Sequence, residues 1–257
     1  MGLRHSAVIV TLLASAVSSS DAGQVTPPWT VQVATDRAEA EFNGVVQQWT
    51  TDRVAINWVK PSEGGWFTGV ERHTRSERTD WTTFISGYRR VGPWTFLGGA
   101  AGTPDADFHY RSAFEVEVSR IVRAPLVATG GYRRLAFRSG TVHIIQPAMT
   151  WYYARGEILG RGYVSRSTEA GRTSSTAMVR ILHDFHERVR VTVGAAYGDR
   201  VFDVASLPSS STRTRLGFGH VRLSVTRNDA IETGVTIARE GRAFEYRAVS
   251  LGYRRTF

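Results

Sequence analysis

Residues 189–197 read Val189-Arg190-Val191-Thr192-Val193-Gly194-Ala195-Ala196-Tyr197. Val189, Val191, Val193, Ala195 and Tyr197 fall on one side of an extended chain, and Arg190, Thr192, Gly194 and Ala196 on the other. Period two marks a strand with two unlike faces. The alternation recurs in both directions. Ala177, Val179 and Ile181 alternate with Thr176, Met178 and Arg180. Phe108, Tyr110, Phe114, Val116 and Val118 alternate with His109, Arg111, Glu115 and Glu117. Ile145, Pro147, Met149, Trp151 and Tyr153 share a face, as do Val54, Ile56 and Trp58.

Turn signals punctuate these runs: Lys60–Gly65, Val91-Gly92-Pro93, Arg123-Ala124-Pro125, Arg155-Gly156 and Arg227-Asn228-Asp229. Longer polar stretches lie between them at 72–80, 102–107, 138–141, 166–175 and 198–213. Short and long connections thus alternate, as in barrels with short periplasmic turns and longer outer loops. The runs divide into fourteen strands: 29–37, 45–59, 65–73, 80–90, 93–101, 108–121, 125–137, 141–154, 157–166, 174–184, 188–198, 213–227, 230–239 and 243–257. Twelve strands is the alternative. Val45 and Trp49 are odd while Val54, Ile56 and Trp58 are even, which implies a bulge or one strand fewer in 29–60.

The N-terminus supplies an address. Arg4 and His5 precede the apolar block Ala7–Val17, and Ser20-Asp21-Ala22 sets small residues before Gly23. That order predicts a signal peptide over 1–22 and an exported barrel domain over 23–257. An 11-residue apolar run is too short to span a bilayer. Of 257 residues none is cysteine, which excludes disulfides, thiolate metal sites, thiol nucleophiles and a lipoprotein anchor. Aromatic residues at 11% and apolar residues at 42% exclude a disordered chain.

Alternation alone does not separate a soluble sandwich, apolar inside, from a membrane barrel, apolar outside. Three features favour the barrel: the export signal, charged residues opposite the apolar face, and aromatic residues near strand ends. Arg111, Glu115, Glu117, Arg180 and Arg190 are expected mid-strand, paired across a wet lumen. Trp29, Trp58, Trp66, Trp81, Trp94, Trp151, Tyr153, Tyr197 and Tyr253 suit the headgroup layers. The predicted fold is therefore an all-β, single antiparallel transmembrane β-barrel in the cell outer membrane of a Gram-negative-type envelope.

The chain closes with Val249, Leu251, Tyr253, Arg255 and Phe257 at every second position. This strand resembles the terminal strand of bacterial outer-membrane barrels, which barrel-assembly machinery reads through Val249, Leu251, Tyr253 and Phe257. More specifically, the chain resembles the YaiO family of outer-membrane β-barrels. The segments that carry the likeness are Gly87–Arg90, Gly130–Arg134, Ser175–Gly198 with its Gly194-Ala195-Ala196-Tyr197-Gly198 ending, and Gly252–Phe257. The likeness extends over 45–257 and implies fold and location. It implies no catalytic residue and no cofactor.

Candidate sites have modest readings. His183-Asp184-Phe185-His186-Glu187 gathers metal-ligand types, but in a strand 183 and 186 face opposite sides, and a solvated turn is expected. His220 and Ser224 could share a face, with Asp229 or Glu232 as an orienting acid of a lipid-modifying enzyme. The charge is +9, with 32 Lys+Arg against 23 Asp+Glu and Lys60 as the single lysine. It is spread over Arg72, Arg75, Arg78, Arg138, Arg166, Arg172, Arg200, Arg213 and Arg242, which argues against nucleic acid. Arginine in outer loops suits lipopolysaccharide phosphates; an arginine-favouring genome accounts for the excess equally simply. Three function classes follow: a passive pore for small polar or anionic solutes, a structural or accessory barrel for envelope or surface-polysaccharide processes, and, remotely, a lipid-modifying enzyme.

Overall fold

The computed structural model describes residues 29–60, 63–169, 171, 173–199, 213–241 and 244–257. The expected signal peptide, Arg172, Arg200 and Arg242 lie outside the described residues. Fourteen strands follow one another: β1 (Trp29–Phe42), β2 (Val45–Lys60), β3 (Gly64–Arg75), β4 (Arg78–Val91), β5 (Trp94–Gly102), β6 (Ser112–Arg123), β7 (Leu126–Ala136), β8 (Thr141–Tyr153), β9 (Gly156–Ser167), β10 (Thr173–His186), β11 (Val189–Gly198), β12 (Thr214–Ser224), β13 (Asp229–Glu240) and β14 (Phe244–Thr256). Each pairs antiparallel with its sequence neighbours, and β14 pairs with β1 to close the barrel. Closure leaves no strand edge unpaired, the condition for a sheet to sit in hydrocarbon.

The two faces are inverted relative to a soluble protein. Ile145, Val235, Val249 and Leu251 point outward and are more than half exposed, between 54% and 59%. Leu135, Val142, Ile144 and Leu159 point inward and are 4–5% exposed. Val116 and Val191 share the outward row, so no second sheet covers them. Trp29, Trp58, Trp66, Trp94 and Trp151 gather at the end that carries Phe257, and Trp81 and Tyr197 near the other. Such paired aromatic levels belong at the two headgroup layers. The turns at the Phe257 end are short, 92–93, 124–125, 154–155 and 187–188 among them. The connections 103–111 and 199–213 at the opposite end are longer, which makes the Phe257 end periplasmic.

Three expectations are corrected. The phase change in 29–60 is neither a bulge nor a missing strand: β2 runs unbroken, with Val54 and Ile56 outward and Trp49 inward and buried. The stretch 72–80 is no loop, because β3 and β4 meet at the two-residue turn Ser76-Glu77. The strand expected from 108 begins at Ser112. Arg111 therefore stands exposed at the end of the 103–111 connection rather than mid-strand in the lumen. The cause is local: Phe108, His109 and Tyr110 are drawn inside the barrel and buried.

Candidate functional site

The candidate site is the barrel interior, which has two unlike halves. The periplasmic half is a ladder of ion pairs on inward rows. Arg222 Nε donates to Glu232 at 2.6 Å. Arg190 grips Asp184 with two bonds, 2.6 and 2.9 Å. Arg180 donates to Glu157 at 2.6 Å. Arg161 reaches Glu117 at 2.8 Å and Gln146 at 3.0 Å. Arg190 and Arg180 thus bond carboxylates on adjacent strands, not across the lumen as the sequence suggested. The Arg161–Glu117 bridge arches over β7 and β8. Gly131 makes room for it, since a Cβ there would stand 3.1 Å from Glu117 Cγ. Glu115 lies on the same inward row of β6, opposite Arg133. Arg90 and Arg254 share these inward rows and have no ion pair among the described residues, and Arg133 stands higher, level with Ile144.

The outer half is apolar and aromatic. On one wall Ala38, Ala40, Trp49, Ala238 and Tyr246 pack with Phe42 and Phe244. The rings of Phe42 and Phe244 are 4.9 Å apart, and Trp49 lies 5.9 Å from both Phe42 and Tyr246. On the facing wall Tyr110, Leu135, Val142, Ile144 and Tyr163 form a second cluster. The 103–111 segment joins the two. Asp80 of β4 anchors it: one carboxylate oxygen accepts the Asp107 N–H at 2.9 Å, and the other accepts those of Phe108 and His109 at 3.0 and 2.8 Å. Thr82 and Thr103 share a buried hydroxyl bond of 2.7 Å.

The anchored segment presents its rings to the lumen wall. The Arg75 guanidinium is held between Trp49, at 4.3 Å, and Phe108, at 4.5 Å. His109 stacks on His73 at 4.3 Å and lies 4.1 Å from Tyr110. Below, Glu71 pairs with Arg53, and its other carboxylate oxygen lies 3.1 Å from His73 Nε2. Burial holds the His109 imidazole well below the usual histidine range, and His73 and Arg75 push the same way. Sequence reasoning missed this inward segment because Phe108 and Tyr110 continue the alternation of β6. Asp80 gave no signal, because it stands in the polar stretch Arg78-Thr79-Asp80.

The remaining candidates disperse. His183 faces outward and stacks on Tyr153, while Asp184 faces inward to Arg190. His220 and Ser224 both face inward, but four strand residues separate them by roughly 13 Å. Glu232 is engaged by Arg222, and Asp229 faces outward beside Arg255 and Tyr253. Val249, Leu251, Tyr253 and Phe257 are all exposed on the outward row at the β14–β1 seam.

Solved structures share this architecture. The CymD monoaromatic hydrocarbon channel matches with a TM-score of 0.61 at 8% identity, over 91% of this chain and 90% of that one. A bacterial polysaccharide outer membrane secretin matches with a TM-score of 0.61 at 10% identity, over 91% and 100%. An anion-selective porin from Comamonas acidovorans matches with a TM-score of 0.51 at 10% identity, over 89% and 98%. At such identities the likeness is one of fold. No curated protein sequence matches the chain. The model of the YaiO membrane beta barrel domain matches residues 32–200, two-thirds of the chain, and the protein belongs to this family of outer-membrane β-barrels.

Proposed function

We propose that the barrel is a narrow passive conduit for small polar solutes, with a preference for anions. The observation that carries the reading is the charged ladder of the periplasmic half. A row that only faced packing would not hold four Arg–carboxylate pairs with Arg90 and Arg254 left over in that half. Surplus fixed cations along a pore attract anions and repel cations. The inward segment 103–111 would set the size limit.

The test is single-channel recording of the purified protein in a planar bilayer under a salt gradient. A steady current with an anion-side reversal potential supports the conduit, and Arg133→Gln with Arg254→Gln should move that potential toward the cation side. Silence across ionic strengths would instead favour a second reading, a structural or accessory barrel of the envelope. The aromatic clusters filling the outer half of the interior are the observation behind that alternative.

A further inference from the structure

The outer surface carries one row of charge with no internal explanation. Arg134 on β7, His143 on β8 and Arg166 on β9 are direct cross-strand neighbours, and all three point outward. Like charges two strands apart on one face of a sheet repel unless something offsets them. Yet Arg134 and Arg166 have no ion pair or hydrogen bond among the described residues. His143 is oriented by the Tyr132 hydroxyl, 2.7 Å from its Nδ1. When that hydroxyl donates, the imidazole proton sits on Nε2, which is left to donate outward.

Position identifies what meets this row. Directly beneath it, in register, stand Tyr132, Ile145 and Val164, an apolar row. Trp151 of the periplasmic girdle lies eight residues away on β8, roughly 20 Å along the axis for a tilted strand. The basic row is therefore where the hydrocarbon of the outer leaflet ends. The opposite side of the barrel is a contrast. There Arg215 and Arg239 are also cross-strand neighbours, but Glu245 bonds Arg239 at 3.2 Å and Arg247 at 2.5 Å. Arg239 and Arg247 thus share a carboxylate on their rim, whereas no ion pair is made by Arg134 or Arg166 among the described residues.

We propose that Arg134, His143 and Arg166 form a docking site for the phosphate of a phosphorylated glycolipid of the outer leaflet, its acyl chains lying over the apolar row beneath. Arginine forks bind phosphate bidentately, and two of them flanking an N–H donor match its three free oxygens. The site is independent of whether the lumen conducts.

The test is native mass spectrometry of the full protein titrated with bisphosphorylated lipid A, with its fully dephosphorylated counterpart, and with inorganic phosphate. The wild type should prefer the bisphosphorylated form by about tenfold or more, as two charge-assisted contacts require. Arg134→Gln/Arg166→Gln should lose that preference, and Arg215→Gln/Arg239→Gln should keep it. Inorganic phosphate should not displace the lipid. Equal preference in both double variants, or displacement by inorganic phosphate at the lipid's own concentration, overturns the proposal. Folding is controlled by thermal unfolding in phosphate-free detergent, where Arg134→Gln/Arg166→Gln should unfold no earlier than the wild type. Earlier unfolding there would mean that the arginines serve the sheet rather than a lipid.

Discussion

Asp80 ties the 103–111 connection to the barrel wall. Its carboxylate is 3% exposed and accepts three consecutive backbone N–H groups. Buried donors left without an acceptor cost roughly 1–3 kcal/mol each. Asp80→Ala should therefore release 103–111 while the closed barrel, whose ladders it does not touch, stays folded. Hydrogen exchange would report faster amides at 107–109, and under the conduit reading the unitary conductance would rise. His109 adds a pH response. It is held neutral in place, among His73, Arg75, Glu71 and Arg133, but once released it would take up a proton in the ordinary histidine range. The docked state is thus fully favoured above about pH 6.5 and weakens up to about tenfold per unit below it. Amide protection across 103–111 should fall between pH 7.5 and 5, and His109→Gln should flatten that dependence.

The elements show how one tetrapeptide serves opposite ends. Gly-Tyr-Arg-Arg occurs at 87–90, 131–134 and 252–255. In β7 and β14 the tyrosine faces out and the first arginine in, whereas in β4 Tyr88 and Arg90 face in and Arg89 out. Strand phase, not the motif, decides the surroundings. Depth then decides cost. Leu251 sits midway between Arg247 and Arg255 on the lipid row of β14, so Leu251→Arg should cost about 2–4 kcal/mol. Arg255→Leu, at the periplasmic edge, should change stability by at most about 1 kcal/mol. Urea unfolding in lipid vesicles checks both. Phe257→Ala should lower the fraction of barrel that folds in the envelope, measured by heat-modifiable gel mobility, if the last strand is read during assembly.

For the molecule as a whole, what could be read in advance follows from what alternation encodes. Val191, Val116 and Leu251 report a face, and turn residues between runs give fourteen strands with twelve as the alternative, while the inversion needed the export signal, the charged rows and the terminal aromatics as well. Period two is silent about depth and about what the inward row holds. Trp49 therefore looked like a break in phase, when it is an inward aromatic in an unbroken strand. Phe108 and Tyr110 looked like strand because their spacing matches β6, although a carboxylate 28 residues away from Phe108 turns them inward. The ion-pair ladder was legible by residue type, since Arg180, Arg190 and Glu117 had to face something wet. Its partners were not, because Arg161 meets Glu117 across 44 residues of chain.

The seam between first and last strands matters beyond architecture. Thirteen residue pairs join β1 to β14, and Thr30 bonds Thr256 across 226 residues. The ring can shut only after β14 has been synthesised and delivered. A polypeptide truncated by a premature stop or clipped during export would carry two raw margins, each a template for promiscuous annealing. Topology thereby acts as an inspection step, in which the arrival of β14 is verified by the same contact that finishes the wall.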